Sequence, residues 1–159
     1  MPSRRLAGLI LLSAMTAATC ARPAAPSPYR PRARAVTVTT VPLLVRESQR
    51  VFPFLKESFA PGGVLAGKEV YAFVPSTITV IAGDTVAFTF VNPEDDLHNF
   101  VLGAGALNLA LPGERITRAT WVATEPGIVP FACTVPGHAP MMAGEVVVLA
   151  PAAFLRGPS

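Results

Sequence analysis

Ten residues of this sequence, Cys133-Thr134-Val135-Pro136-Gly137-His138-Ala139-Pro140-Met141-Met142, gather a thiol, an imidazole and two thioethers. Cys133 is the single cysteine after residue 20, and His98 and His138 are the only histidines of the chain. A lone cysteine makes no internal disulfide, so in an exported protein it is buried, paired between chains or used in chemistry. Its neighbours point to chemistry. Thiolate and thioether are soft donors suited to copper, and two imidazoles with one thiolate in a plane, plus a distant thioether, form a one-electron copper site. The loop supplies three of those four donors, and the fourth is expected from a strand adjacent in space. His98, just ahead of the apolar stretch Asn99–Leu102, is the remaining histidine. Any one of these residues alone is more often packing than ligand, and a free cysteine behaves as a small buried hydrophobe. The spacing of the set turns the reading toward a metal. Met141 competes with Met142 for the thioether role, and since successive side chains of an extended segment point oppositely, only one of the two can face the ion.

Such a site needs a rigid frame, and from Val36 onward the sequence supplies short apolar or alternating runs broken by Gly, Pro and Asp, the pattern of antiparallel strands in a sandwich or barrel. The runs predict strands over Val36–Val45, Val51–Leu55, Glu69–Val74, Thr77–Ile81, Thr85–Val91, Asn99–Leu102, Arg115–Val122, Ile128–Ala132 and Glu145–Leu149. Ala82-Gly83-Asp84 reads as a turn, with Asp84 bonding nearby backbone. No stretch reads as a long amphipathic helix, although Gly103–Leu111 is compatible with a turn or two. Phe88, Phe90, Phe100, Phe131 and Trp121 are core by type. Glu94, Asp95 and Asp96 read as a solvated turn, Glu114 and Glu125 as surface charges, and no pair of carboxylates suggests hydrolysis.

The remaining segments have other tasks. Residues 1–20 read as an export signal: Arg4 and Arg5 give a positive start, Leu6 to Met15 an apolar stretch too short to span, and Thr16 to Thr19 small residues before a cut. Export implies an oxidising, periplasmic compartment, or anchorage on the outer face of the cytoplasmic membrane. The twin arginines lack the phenylalanine and lysine that usually follow such a pair, so general secretion is expected. Cys20 stands where lipoproteins carry their lipidated cysteine, and Ala17-Ala18-Thr19 matches that motif loosely. Two readings stay open, a membrane tether through Cys20 or a cysteine discarded with the signal. Residues 21–35, rich in Pro, Ala and Arg, read as a disordered linker. Residues 36–150 then form the single domain, and 151–159 a tail. After the N-terminus no run of 18 uncharged apolar residues occurs, so no membrane-spanning helix is expected. The chain carries a formal +3, but the excess sits at its start. From Val36 onward there are seven basic and ten acidic residues, which excludes the clustered basic surface of a nucleic-acid binder.

Leu97-His98-Asn99-Phe100-Val101-Leu102, together with Cys133, four residues, His138, three residues and Met142, resembles the two metal-binding segments of azurins and the lipid-anchored auracyanins, type 1 blue copper proteins of the cupredoxin group. A looser likeness runs through Phe73-Val74-Pro75, Val80 to Asp84 and Phe88 to Asn92. The resemblance implies an all-β, cupredoxin-like Greek-key sandwich or barrel holding one copper ion per chain. His98, Cys133 and His138 would be its strong ligands and Met142 the weak axial one, and Asn99 would tie the His98 segment to the ligand loop. Azurins place a glycine before the first histidine, where Leu97 stands here, and their N-terminal disulfide has no counterpart.

The function these residues imply is single-electron transfer rather than catalysis, because such a site leaves no coordination position open to substrate. Partners would be redox proteins such as cytochromes or membrane oxidoreductases, with the ring of His138 as the electron's exit and the chain working as a monomer. The alternative is a periplasmic copper-delivery or storage protein, which would display several Met and His in an open array. A binuclear copper domain needs a second cysteine in the loop, and Thr134 to Gly137 holds none.

Overall fold

The computed structural model describes residues 29–138 and 141–151. Nine strands make two sheets. β1 (Ala33–Leu44), β2 (Val70–Val74), β4 (Thr85–Asn92) and β7 (Arg115–Val122) form one, in the order β2-β1-β4-β7. β3 (Thr77–Ile81), β5 (His98–Leu102), β6 (Leu107–Leu111), β8 (Gly127–Ala132) and β9 (Ala143–Leu149) form the other, in the order β3-β9-β8-β5-β6. The chain changes sheet after β2, β3, β4, β6 and β7, so strands adjacent in sequence mostly face each other across the core. β1 runs parallel to β4 and antiparallel to β2, and β3 runs parallel to β9.

Alternation along the strands decides what is buried. In β4 Val86, Phe88, Phe90 and Asn92 point inward, and in β5 His98, Phe100 and Leu102 do. Phe100 is the centre of the core: Phe90 lies 4.6 Å away, Phe131 4.8 Å and Phe73 5.5 Å between ring centroids. Aromatic rings at these separations bring pairwise attraction beyond the area they bury. His98 shares the face of Phe100, so the strand that builds the core also delivers an imidazole into it.

The sequence reading needs correction in three places. The run Val51–Leu55 is not a strand: it closes helix α1 (Ser48–Val51), and Pro53–Leu55 forms a 3₁₀ turn leading into helix α2 (Lys56–Phe59). Pro53 occupies the first position of that turn, where a missing N–H costs nothing, and Val51, Phe52 and Phe54 are exposed. Gly103–Leu111 contains no helix. Gly103 and Gly105 reverse the chain with positive φ, and Leu107–Leu111 pairs with β5 as the second arm of a hairpin; Leu-Asn-Leu-Ala-Leu has the period of a strand. The end of the expected linker, residues 21–35, belongs to the fold. β1 starts at Ala33, and Tyr29, Arg32 and Arg34 all bond Asp84, whose carboxylate draws the preceding segment onto the fold. Residues 1–28, the expected signal and the rest of the linker, and 152–159 of the tail lie outside the described residues. Among the described residues no helix is long and apolar enough to cross a membrane.

Candidate metal centre

β5 opens with His98, whose ring is fully buried. Its loop of approach is fixed by Asn92: the Asn92 Nδ2 donates to the Asp96 carbonyl at 2.7 Å and to the Leu111 carbonyl at 3.0 Å, while its Oδ1 accepts from the Thr40 hydroxyl at 2.7 Å. β8 ends one residue before Cys133. The loop that follows is closed by its own backbone: the Cys133 N–H donates to the Met142 carbonyl at 2.9 Å, the His138 N–H to the Val135 carbonyl at 3.1 Å and the Met142 N–H to the His138 carbonyl at 3.2 Å. Gly137 turns within it at φ +90°, a left-handed conformation that side chains resist.

His98, Cys133 and His138 converge. Their donor atoms all lie within 4.8 Å of one another. The two Nδ1 atoms are 3.1 Å apart, and Cys133 Sγ is 3.7 Å from Nδ1 of His138. Cys133, His98 and Met142 have no exposed surface, and His138 is 8% exposed. Met142 belongs to the same buried cluster as Cys133, whereas Met141 is 62% exposed. Asn99 makes the tie its position implied: its Nδ2 donates to the Thr134 hydroxyl at 2.7 Å, and its Oδ1 accepts from the Thr134 N–H at 2.6 Å. The strand bearing one histidine is thereby clamped to the loop bearing the cysteine and the other.

Burial, reinforced by the neighbouring His138, pushes His98 down to about 4, so its imidazole is neutral at ordinary pH with a lone pair to offer. Two imidazole nitrogens and a sulfur converge in an apolar interior, and each of the three can offer a lone pair to a soft cation placed among them. The donor set therefore fits copper.

Three features of this region were not foreseen in the sequence. Tyr71 on β2 packs against both imidazoles, with ring centroids 4.6 Å from His98 and 4.7 Å from His138. Asn92 anchors the loop before His98. His138, the expected exit to solvent, borders an open cleft of about 290 Å³ whose other walls include the charged Arg46, Lys68 and Glu69; Ala139 and Pro140 lie outside the described residues.

No protein-family model matches the chain, and no curated protein matches its sequence. Solved structures do match. A copper nitrite reductase from Nitrosomonas europaea is 20% identical, covering 80% of this chain and 45% of its own, with a TM-score of 0.55. The fold is cupredoxin-like. Two further matches have lower TM-scores. Auracyanin A, a "blue" copper protein of the green thermophilic photosynthetic bacterium Chloroflexus aurantiacus, is 22% identical over 73% of this chain and 98% of its own, with a TM-score of 0.47. A dithionite-reduced auracyanin from the photosynthetic bacterium Roseiflexus castenholzii is 26% identical over 48% of this chain and 86% of its own, with a TM-score of 0.43. On a cupredoxin-like sandwich the converging donors sit where β5 and the β8–β9 loop meet, at one end of the two sheets.

Proposed function

We propose that this chain is an exported, monomeric electron carrier that binds one copper ion through His98, Cys133, His138 and Met142. The convergence of two imidazole Nδ1 atoms and one sulfur within 4.8 Å in a buried pocket is the observation that carries this reading. Copper in such a site supplies a one-electron couple between Cu(I) and Cu(II).

The chain's own residues give that couple its conditions. Cys133 contributes a thiolate, and the neutral His98 keeps its lone pair. The Asn99–Thr134 clamp and the closed loop backbone fix donor directions before any ion arrives, the usual work of groups behind metal ligands. Fixed donors need little rearrangement when an electron enters or leaves. The fold alone does not choose between carrier and catalyst, since a copper nitrite reductase shares it. Burial favours the carrier: three donors have no exposed surface and His138 is only 8% exposed, whereas a catalytic metal needs a position that substrate can reach. The same sealing disfavours a delivery or storage protein, whose donors must be reachable. Electrons would pass at His138, to and from proteins such as cytochromes or membrane oxidoreductases.

Titrating the purified protein with Cu(II) tests the assignment. One equivalent of copper and an intense visible thiolate-to-copper band are expected in the unaltered chain, and Cys133→Ser should lose the band while keeping its strand content. A colourless protein, or a band that survives Cys133→Ser, rejects the site.

A further inference from the structure

Metal-ligating histidines almost always donate their second ring nitrogen to a carboxylate, a carbonyl or water, which fixes the rotation of the ring. In His98 the Nε2 is buried, with no hydrogen-bond partner among the described residues. The neighbour packed against its ring is Tyr71. This side chain is 1% exposed and inward-facing on β2. It meets His98 edge-on and His138 at a tilt, with the two imidazole centroids 4.9 Å apart, so the three rings pack as one group.

The phenol is held from its other end. Its hydroxyl contacts a carboxylate oxygen of Asp96 and lies 3.0 Å from Oε2 of Glu69. Both carboxylates sit on segments held by further hydrogen bonds. Glu69 immediately precedes β2 and accepts from the Arg46 N–H at 3.1 Å, and Asp96 sits in the loop that Asn92 anchors. Burial, together with these two carboxylates, pushes the Tyr71 hydroxyl well above its ordinary range, so it stays a neutral donor. The Asn99–Thr134 clamp, by contrast, joins the two chain segments rather than bonding to an imidazole nitrogen.

We propose that Tyr71 is a positioning residue for the metal centre: its ring fixes the rotation of both imidazoles, and the Glu69 and Asp96 carboxylates at its hydroxyl fix the ring. The consequence for copper rests on the function proposed above, but the positioning itself is measurable without metal. Imidazole C–H resonances of the metal-free protein report the rotation of each ring, and competition against a chelator reports copper affinity. Tyr71→Leu should shift and broaden the His98 and His138 signals and weaken copper binding by about 10–100-fold, the range for lost outer support of a ligand. Tyr71→Phe keeps the ring and loses the hydroxyl, so it should fall between Tyr71→Leu and the unaltered chain on both readouts. Unchanged imidazole signals and unchanged affinity in Tyr71→Leu overturn the proposal. If Tyr71→Leu fails to fold, Tyr71→Phe decides by the same two measurements, an altered pair supporting the proposal and an unaltered pair overturning it. A chain that binds no copper, yet whose imidazole signals respond to Tyr71→Leu, would sink the copper reading and leave the positioning supported.

Discussion

Two adjacent methionines receive opposite environments here, one buried and one exposed. Met142 has no exposed surface and its carbonyl closes the loop onto Cys133, while Met141 is 62% exposed. Met142→Leu is therefore expected to retain copper and colour but raise the reduction potential, because losing a weak axial donor disfavours Cu(II). A rise on the order of 60 mV would correspond to a tenfold change in the one-electron equilibrium. Met141→Leu should leave the potential unaltered. Voltammetry of the two variants decides, and the reverse pattern would reassign the axial position. The convergence of His98, Cys133 and His138 was legible in the sequence because Cys and His are scarce in this chain and their spacing is improbable by chance. Tyr71 was not. An aromatic at an alternating strand position has the same signature whether it fills the core or steadies a ligand, and its contacts with His98 and His138 join segments 27 and 67 residues away. Asn92 was hidden for the same reason, since its role lies in which distant carbonyls its amide meets.

Among the elements, β1 depends on a carboxylate in the turn after β3. Asp84 is fully buried and accepts from the Arg32 N–H at 2.8 Å, the Arg34 Nε at 2.8 Å and the Ile81 N–H at 3.3 Å, with the Tyr29 hydroxyl as a fourth donor. Burial alone would raise its pKa, but these donors outweigh burial and hold it at about 2, against an ordinary value of 3.8. A carboxyl whose folded pKa lies below its unfolded one contributes stability that is fully present above the unfolded value and lost as pH falls toward the folded one. The thermal stability of the unaltered domain should therefore fall as pH drops from about 4 to about 2. Asp84→Asn should unfold more easily at neutral pH, by on the order of 2 kcal/mol for the loss of bonds to a buried charge, and should show a shallower decline across that acid window. An equally steep decline in both proteins would remove Asp84 from the account. The strands themselves were mostly visible as alternating apolar runs. Errors arose where alternation was incidental, as at Val51–Leu55, where Pro53 favours a 3₁₀ turn, or where partners decide, as at Leu107–Leu111, which needs β5 beside it to be a strand.

For the molecule as a whole, the Asp84 clip places the incoming chain far from the metal centre. Arg32 accepts from the Thr85 N–H at the start of β4, whereas Asn92 at its far end anchors the loop leading to His98. Seven steps along a strand are roughly 23 Å, so a tether leaving at Tyr29 would present the centre on the opposite end, toward a partner rather than toward its own attachment. The clip also shortens that tether. Arg34 is committed to Asp84 rather than to a membrane surface, and residues 21–28 separate Cys20 from Tyr29, which among the described residues is already held on the fold. Eight residues span at most about 28 Å, so a lipid on Cys20 would keep the domain close to the bilayer and within reach of membrane-bound redox partners. Expressing the full chain and fractionating the cells tests this anchorage. The unaltered protein is expected in the membrane fraction, released by detergent and not by salt, and Cys20→Ser should appear in the soluble periplasmic fraction with its copper band intact. Recovery of the unaltered protein from the soluble fraction, with a mature start beyond residue 20, would make it a free carrier, because an anchored form must begin at the lipidated Cys20.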